Sequence, residues 1–534
     1  MENLRPQDMG KQAEQLFKLD KVMELPAPYN KPDMEPPLTE PKASWKEKHC
    51  AALDGYVGID TLMRPQTKEE EEELVKRFLS GLEKLFSDDV NRNFLQPLML
   101  SFEYCAKCNT CSEACHVFEA SGGKEIYRPI FRSEVLRKIA KKHFTKSGKI
   151  LGGLVGADID VNWETIARLG ELAYRCNLCR RCAQTCPLGL DNALLTREIR
   201  KIFSMELGIA PKPLHEKGSM LQLKTGSSTG ITKPAFLDMI EFIEDDIFEK
   251  TGKKIKMPID KKGADILLTH NAGEFMAWPE NPAAFAIIFE EAGLDWTLSS
   301  DMIGYDNVNY GLWYDDVQAR KVALEQFKAA KNLGVRRIMI AECGHAHKAA
   351  GVSMDRITVG EDNIPVESFL PLLWELINNR TLKLDPQKNN FPVTLHDPCN
   401  VVRMMGIVEP QRKILHAICP QFREMTPHGV KNYCCGGGSG FAIMQSMNFP
   451  EFRHKVSSRM KFKQILNAFK DSVEDASIPK YVCAPCSNCK GAIRDMLEYY
   501  KVTEKFNVHY GGLVELVVNA MVDIEKPFLE FLAE

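Results

Sequence analysis

Eight cysteines fall in two runs of identical spacing, and this spacing is the feature of the chain that most directly indicates chemistry. The runs are Cys105-x-x-Cys108-x-x-Cys111-x-x-x-Cys115 and Cys176-x-x-Cys179-x-x-Cys182-x-x-x-Cys186-Pro187. Such spacing binds [4Fe–4S] clusters: three thiolates wrap one face of a cubane, and the fourth cysteine ligates the partner cluster. One predicted cubane therefore takes Cys105, Cys108, Cys111 and Cys186, and the other takes Cys176, Cys179, Cys182 and Cys115.

Zinc is the main alternative, because Cys-x-x-Cys pairs also form tetrahedral zinc sites. Zinc does not need eight cysteines in a duplicated pattern, so we favour iron–sulfur clusters over zinc and over disulfides. The chain has 17 cysteines, and residues 1–18 carry mixed charges without an apolar core. This composition predicts a reducing compartment and no signal peptide. The lone Cys50 and Cys419 are interpreted as buried thiols, and the net charge of −3 gives no indication of nucleic-acid binding.

A third group of cysteines lies in the last third of the chain. Its elements are Asp397-Pro398-Cys399, Cys434-Cys435-Gly436-Gly437-Gly438 and Cys483-x-x-Cys486-x-x-Cys489. Adjacent cysteines on a glycine-rich turn can reach two different metals, since glycine lets the backbone approach closely without a Cβ clash. A thiol pocket without a cluster is the alternative interpretation.

A chain of 534 residues is too long for a single hydrophobic core. The elements that must position these cysteines divide it into five parts. We predict an N-terminal extension with a Pro-rich arm (1–90), an α-helical dicluster ferredoxin domain (91–210), a connector (211–262) and two α/β lobes (263–390 and 391–534). The fold class is thus α plus α/β. Helices are predicted at 133–143, 163–174, 194–205 and 235–249, and buried strands at 264–270, 335–343, 391–396 and 480–483.

Two further segments have predicted surface roles. The Pro-rich residues 25–41 are predicted to form an extended strap, either on a partner or on the protein's own surface. Residues 137–149 contain six basic side chains and no acid, which is either a dock for an acidic partner or an ordinary solvated helix. No stretch approaches the length of a membrane span, so any membrane association is expected to come through a partner.

The third cysteine group resembles the CCG-domain family of heterodisulfide reductase-like proteins. The resemblance implies a non-cubane [4Fe–4S] cluster that cleaves disulfides, with Cys399, Cys434, Cys435, Cys486 and Cys489 as ligands. Cys483 is then a spare thiol or an alternative ligand, so all six cysteines are candidate catalytic residues. The first lobe lacks the Cys-Cys pair and keeps only Cys343-Gly-His345-Ala-His347. Its side chains either act in the cleft, as proton donors or as ligands of another group, or serve the structure.

The whole layout is similar to the DsrK family, the iron–sulfur subunits of membrane complexes associated with sulfite reductase. This resemblance implies an oxidoreductase acting on sulfur groups: a membrane cytochrome b subunit oxidises quinol, and the electrons reduce a small sulfur carrier, DsrC, in dissimilatory sulfate reduction. The expected location is cytoplasmic, on the inner face of the membrane through partner subunits. An iron–sulfur subunit of an anaerobic glycerol-3-phosphate, glycolate or lactate dehydrogenase is the alternative, and a non-catalytic relay is another. No dinucleotide-binding G-x-G-x-x-G or P-loop occurs.

Overall fold

The structure is a computed structural model of the chain. It describes residues 4–533 except 12–15, 42, 50–52, 354–362 and 445–446. Cys50, interpreted above as a buried thiol, lies outside the described residues.

Helices surround the two ferredoxin-type runs. Helix α2 begins after Thr67, whose hydroxyl accepts a hydrogen bond from the amide of Glu70, and it buries Phe78 and Leu82. The helices predicted at 133–143, 163–174 and 194–205 are confirmed as α6, α8 and α10. The helices of this region are α1 Ala43–Lys48, α2 Lys68–Leu85, α3 Asp88–Glu103, α4 Thr110–Glu113, α5 His116–Ala120, α6 Pro129–Phe144, α7 Lys146–Leu151, α8 Trp163–Tyr174, α9 Arg181–Gln184 and α10 Asn192–Met205.

A helical segment leads from this region to the α/β part of the chain. It consists of a π-helical stretch at Pro213–Met220, α11 Leu221–Thr225 and α12 Lys233–Thr251. Helix α12 ends at Gly252, which has φ +71°, a left-handed conformation that glycine adopts without a steric penalty. The helix predicted at 235–249 is confirmed as part of α12.

Two four-stranded parallel sheets follow, and their strand orders are the same. The first has the order β2-β1-β3-β4 and the second β6-β5-β7-β8, with central registers Ile266↔Arg337 and Val393↔Tyr481. The duplicated α/β pattern predicted from the sequence is therefore confirmed. The strands are β1 Ile266–Thr269, β2 Trp296–Thr297, β3 Arg337–Ile340, β4 Val366–Ser368, β5 Val393–Leu395, β6 Phe422–Arg423, β7 Lys480–Cys483 and β8 Val508–Gly511.

Helices cover both sheets, as parallel sheets require. In the first lobe they are α13 Ala272–Ala277, α14 Glu280–Glu291, α15 Met302–Tyr305, α16 Asp316–Leu333, α17 Gly344–Ser353 and α18 Phe369–Asn378. In the second lobe they are α19 Cys399–Met404, α20 Pro410–Ile418, α21 Phe441–Met444, α22 Pro450–Phe452, α23 Arg459–Ala468, α24 Ser487–Tyr499, α25 Val502–Phe506 and α26 Leu513–Asn519.

The two lobes meet where their central strands end. The amide of Ser487, after β7, donates a 2.7 Å hydrogen bond to the carbonyl of Glu342, after β3. A Cβ on Gly344 would lie 3.0 Å from Cys486 Sγ and 3.2 Å from Pro398 Cβ, so this residue must be small. Ligands bind at the carboxyl ends of strands in such sheets, and the third cysteine group lies there.

The Pro-rich arm packs on the second lobe of its own chain. The Tyr29 ring lies edge-on to Phe462, with 5.0 Å between ring centroids, and its hydroxyl donates to the carbonyl of Tyr500. Glu35 pairs with Lys455 at 2.9 Å and with Nη2 of Arg459 at 3.0 Å. Of the two predicted positions for the strap, the structure shows the one on the protein's own surface.

The basic segment 137–149 is only partly a solvated face. Arg137 is buried and donates to the carbonyl of Ser101 at 2.8 Å. Lys138 is buried and pairs with Asp158. The exposed lysines at the end of the segment are Lys146 and Lys149. Among the helices of the described residues, none is long and apolar enough to cross a membrane.

Candidate functional site

The two ferredoxin-type loops share one backbone conformation. The residues on either side of the second cysteine are left-handed in both runs: Lys107 (φ 55°) and Asn109 (φ 65°) in the first, Leu178 (φ 50°) and Arg180 (φ 59°) in the second. Residues other than glycine rarely adopt this conformation, and its cost is tolerated mainly at functional sites. Two loops that wind around similar ligands are expected to have the same strained conformation at matching positions, as these two loops do.

The first set of thiols includes the last cysteine of the other run. Burial raises the pKa of the Cys111 thiol, and the nearby thiolates of Cys105 and Cys186 add to this effect. Cys108 is exposed, and its hydrogen bond with Thr110, Sγ to Oγ1 at 3.3 Å, lowers its pKa. This set therefore reaches the protein surface.

The second set is the counterpart of the first. Burial raises the pKa of Cys182 well above its usual range, and the thiolates of Cys179, Cys176 and Cys115 add to it. Burial also raises the pKa of Cys115 to about 12. Cys111 of the first set and Cys182 of the second lie in one apolar cluster with Ile130, and Cys105 packs against it. The structure thus brings Cys105 and Cys111 near Cys186 of the other run, and Cys176, Cys179 and Cys182 near Cys115. The crossed ligation of two clusters stays a prediction.

The second set also touches the third cysteine group. Cys179 packs against the apolar cluster that contains Cys434, and its interaction with Cys434 lowers the pKa of Cys179. His116 Nδ1 lies 4.0 Å from Cys179 Sγ. Asn177 Oδ1 lies 2.8 Å from His116 Nε2, and Asn177 Nδ2 donates to the carbonyl of Gly436 at 3.0 Å. Polar contacts therefore hold the two sites together directly.

Five cysteines of the third group converge in one place. Cys434, Cys435, Cys486 and Cys489 are buried in one apolar cluster, and Cys435 Sγ lies 3.4 Å from Cys489 Sγ. Interactions with Cys179, Cys399 and Cys435 raise the pKa of Cys434 well above its usual range, and interactions with Cys435 and Cys486 do the same for Cys489. Cys399 is half-buried, so it is the most exposed member of this set.

The glycines after the Cys-Cys pair are needed for this convergence. A Cβ on Gly436, which has φ +88°, would lie 2.3 Å from Ser458 Oγ. A Cβ on Gly437 would lie 2.7 Å from Ala492 Cβ and 2.8 Å from the carbonyl oxygen of Asn488. No real Cβ fits at these distances, so larger residues would push the two thiols out of place.

Cys483 is not part of this set. Its neighbour Val482 lies in the apolar cluster that holds four of these thiols, whereas Tyr481 and Cys483 lie in another large cluster, which also contains Cys419. Successive strand residues point to opposite faces of a sheet, and Cys483 is the last residue of β7. Of the six predicted catalytic cysteines, the structure brings five together and leaves Cys483 apart.

Two family models match the chain at these sites. A 4Fe-4S dicluster domain matches residues 101–190, and a cysteine-rich domain, CCG, matches residues 393–494. The dicluster domain implies two cubane clusters, which the crossed thiol sets fit. The CCG match covers the five converging cysteines and indicates a further site.

The chain is similar over most of its length to three curated proteins. An Hdr-like menaquinol oxidoreductase iron-sulfur subunit 2 of Archaeoglobus fulgidus is 26% identical over 477 residues, 81% of each chain. This chain is homologous to Hdr-like iron–sulfur subunits. One subunit of the dihydromethanophenazine:CoB--CoM heterodisulfide reductase of Methanosarcina barkeri is 24% identical over 80% of this chain and 96% of that protein. A probable membrane-anchored ferredoxin of Chromohalobacter salexigens is 22% identical over 78% of this chain and 63% of that protein.

One residue of this site, His396, belongs to none of the cysteine motifs of the sequence. His396 follows β5 and is buried, and ligand atoms of His396, Cys435 and Cys489 lie within 4.8 Å of one another. Neither ring nitrogen of His396 has a hydrogen-bond partner among the described residues. The neighbouring side chains of Cys434 and Cys489, and then His396, lower the pKa of Cys435. A buried histidine without a protein partner, beside two thiols, fits a site built around a bound group.

Two buried lysines flank the CCG site. Lys461 Nζ donates to Asn432 Oδ1 at 2.7 Å and Gln464 Oε1 at 2.6 Å, and burial lowers its pKa to about 7 while nearby thiolates, including that of Cys435, oppose the shift. The positive charge of Lys461, when the side chain is protonated, partly balances the negative charge of these thiolates. Lys490, next to Cys489, lies 3.5–3.8 Å from three carboxylates at the lobe boundary. These are Glu274, Glu342 and Glu515.

The Cys343-Gly-His345-Ala-His347 segment of the first lobe is held by structural contacts. His345 Nδ1 accepts from Trp313 Nε1 at 3.1 Å. His347 bonds to Ser368 Oγ at 2.8 Å and to the carbonyl of Cys343 at 2.8 Å. Burial lowers the pKa of both histidines to about 4, so both are neutral near pH 7. Of the two predicted roles, these contacts support the structural one.

Proposed function

We propose that this chain is the disulfide-reducing subunit of a membrane redox complex and belongs to the DsrK family. It receives electrons from a quinol-oxidising cytochrome b partner and reduces a disulfide or trisulfide on the small sulfur carrier DsrC, in dissimilatory sulfate reduction. When bound, two cubane clusters carry single electrons and a non-cubane [4Fe–4S] cluster supplies iron for the substrate sulfur. The proposed ligands are the two crossed thiol sets and Cys399, Cys434, Cys435, Cys486 and Cys489.

The observation that carries this proposal is the packing of Cys179 against the apolar cluster that contains Cys434. It joins the second thiol set to the CCG site, and Cys111 and Cys182, which share an apolar cluster with Ile130, join the first set to the second. The sites differ in exposure: Cys108 is exposed, whereas Cys434, Cys435, Cys486 and Cys489 are buried. One exposed thiol set and one buried site suit electron entry at one end and a sheltered reaction at the other.

The surroundings of Cys399 support a sulfur substrate. The thiolate of Cys399 is one of the charges that act on Lys348 of α17. Arg180 Nη1 lies 2.7 Å from Met404 Sδ, on the helix that begins at Cys399. Basic side chains therefore lie on the elements next to this half-buried thiol. They favour a substrate whose reduced products are thiolates, and disulfide reduction yields two of these.

The relatives support the class of reaction. The names of two of them describe a menaquinol oxidoreductase and a heterodisulfide reductase, so quinol oxidation and disulfide reduction are the activities of those proteins. We propose both activities for the complex that contains this chain: quinol oxidation by the partner supplies the electrons, and disulfide reduction by this chain consumes them. The sulfur carrier as substrate is inferred from the DsrK-like layout.

The test uses the anaerobically purified, cluster-loaded protein, reduced and mixed with oxidised DsrC. Oxidation of the clusters by this carrier, and none by a carrier without its cysteines, is the expected result. Cys435→Ser should abolish the reaction while the electron paramagnetic resonance (EPR) signals of the cubanes persist, and Cys419→Ser, at a buried thiol away from the site, should leave it unchanged. Cluster reduction only by a flavin subunit with glycerol-3-phosphate, glycolate or lactate would instead identify a dehydrogenase subunit.

A further inference from the structure

An exposed loop of the dicluster region carries aliphatic side chains and lysines side by side. The loop comprises residues 144–155, from the last residue of α6 through α7 to the following 3-10 turn. Leu154 is 89% exposed and Ile150 80% exposed, and Leu151 and Phe144 are also exposed. Together these four apolar side chains form a patch that water does not favour.

This loop is held rigidly although its side chains point outward. The Thr145 hydroxyl accepts from the amide of Gly148 at 3.0 Å and caps α7. A Cβ on Gly148 would lie 2.0 Å from the carbonyl oxygen of Lys141, so α7 packs tightly against the end of α6. The amide of Ala157 donates to the carbonyl of Gly152 at 3.0 Å and closes the turn. The apolar residues are thus presented by an ordered backbone.

The charged side chains of the loop itself are lysines, and two acids follow it: Asp158, which pairs with Lys138, and the exposed Asp160. Lys146 and Lys149 are exposed, and within the described residues neither is in an ion pair with a carboxylate. Residues 144–157 contain no acidic residue, whereas the whole chain has a net charge of −3. Attraction to an anionic surface is therefore a property of this loop and not of the protein as a whole.

We propose that the 144–155 loop inserts into the interface of an anionic phospholipid membrane. Aliphatic side chains interleaved with lysines are the composition of interfacial membrane segments, and lysines near such a segment bind anionic headgroups. The cores of protein–protein interfaces are, by contrast, depleted in lysine. The occupant that fits both features of the loop is a lipid surface.

The loop also fixes how the thiol sets face this surface. Helix α6 carries near its start Ile130, which shares an apolar cluster with Cys111 and Cys182, and it ends at Phe144 in the loop. At 1.5 Å per residue this is about 20 Å. Insertion holds the dicluster domain close to the membrane, where a quinol-oxidising partner would deliver electrons. Only this consequence rests on the proposed function, because lipid binding is measured without electron transfer.

The experiment is flotation of the full-length, cluster-loaded protein with vesicles of phosphatidylcholine, with and without phosphatidylglycerol. We expect binding to the anionic vesicles that weakens as salt rises. Combined Ile150→Glu and Leu154→Glu changes should lower the affinity at least about tenfold, since two apolar side chains lose their burial in lipid. Lys146→Glu with Lys149→Glu should also lower it. Phe242→Glu, at an equally apolar site on α12 that is 61% exposed, should not.

A second readout locates the inserted residue. Leu154→Trp should be quenched by brominated lipids, and Met276→Trp, at a site 63% exposed, should not. Absorbance of the clusters checks that each variant is folded. The proposal is overturned by absent vesicle binding, by equal binding to neutral vesicles, or by equal binding of the Ile150→Glu, Leu154→Glu variant. If the protein does not bind vesicles and the variant instead fails to bind a membrane protein partner, the loop contacts a protein, and the proposal is also overturned.

Discussion

Asn177 Nδ2 donates a 3.0 Å hydrogen bond to the carbonyl oxygen of Gly436. The donor lies between two cysteines of the second ferredoxin-type run, and the acceptor directly follows the Cys-Cys pair of the CCG site. Asn177 Oδ1 also contacts Ser457 Oγ and His116 Nε2, both at 2.8 Å. One buried amide therefore sets the spacing between the two redox sites.

Replacing this amide should loosen the junction between the sites. Asn177→Ala leaves three buried polar groups without their partner, which costs about 1–3 kcal/mol of stability. We expect a lower melting temperature, and slower electron transfer from the cubanes to the CCG site in stopped-flow experiments. Asn91→Ala, at a buried asparagine of α3, is the control: it should lower stability without slowing the transfer. Equal transfer rates in both variants would contradict a joining role for Asn177.

A methyl group at Gly436 should disrupt the CCG site alone. Gly436→Ala places a Cβ 2.9 Å from the backbone carbon of Ser457, so the turn with the Cys-Cys pair must move. We expect the iron content to fall by about four atoms per chain, one cluster's worth, while the EPR signals of the cubanes remain. Gly406→Ala is the matched control because Gly406 has φ +71° and open space around it. If both variants keep their iron, the close packing is not needed for the site.

Local sequence patterns predict the parts of this protein that local chemistry determines. The spacing of the ferredoxin-type runs predicts crossed ligation, and the structure places Cys186 near Cys111 of the first run and Cys115 near Cys182 of the second. Apolar periodicity predicts helix α8 and most of α6 and α10. The duplicated strand pattern predicts two similar sheets, since buried parallel strands are short apolar runs wherever they occur.

Tertiary contacts decide the rest. The sequence alone places Arg137 on a basic face, but its side chain donates to the carbonyl of Ser101 in the last turn of α3, where free carbonyls need donors. His396 stands in the sequence only as the end of a strand. Its proximity to Cys435 depends on how β5 and the Cys-Cys turn pack. The side of the sheet to which Cys483 points likewise depends on the packing of β7.

The Pro-rich arm should contribute measurably to stability. Tyr29→Ala removes a ring that packs against Phe462 and Phe506 and a hydroxyl bonded to the Tyr500 carbonyl. Loss of a buried aromatic ring typically costs about 3–5 kcal/mol. We expect a lower melting temperature and faster proteolysis within residues 25–41. Tyr104→Ala, at a tyrosine that is 64% exposed, should change neither, and an unchanged arm in Tyr29→Ala would contradict the docking.

Glu280 should make stability fall as pH rises. Burial raises its pKa from 4.5 to about 8, and Glu515 adds to the shift. Between these values the unfolded chain has lost a proton that the folded chain keeps, so stability decreases by up to about 1.4 kcal/mol per pH unit. The stabilisation by Glu280→Gln should therefore grow up to about pH 8 and then level off. Melting temperatures of both proteins across this range test it. A difference independent of pH would contradict the shift.

The two neighbouring cysteines at the end of β7 should behave oppositely. Cys486 lies in one apolar cluster with Cys489 and the Cys-Cys pair, whereas Cys483 lies in the separate apolar cluster with Cys419. Cys486→Ser should lower the iron content by about four atoms per chain and abolish disulfide reduction, with the cubane signals intact. Cys483→Ser should keep both iron and activity and only lower the melting temperature, because a hydroxyl replaces a buried thiol. Both variants make the same replacement of sulfur by oxygen at nearby positions, so general effects of cysteine replacement cancel. Loss of iron in Cys483→Ser would make it a ligand after all, and iron retained in Cys486→Ser would remove Cys486 from the site.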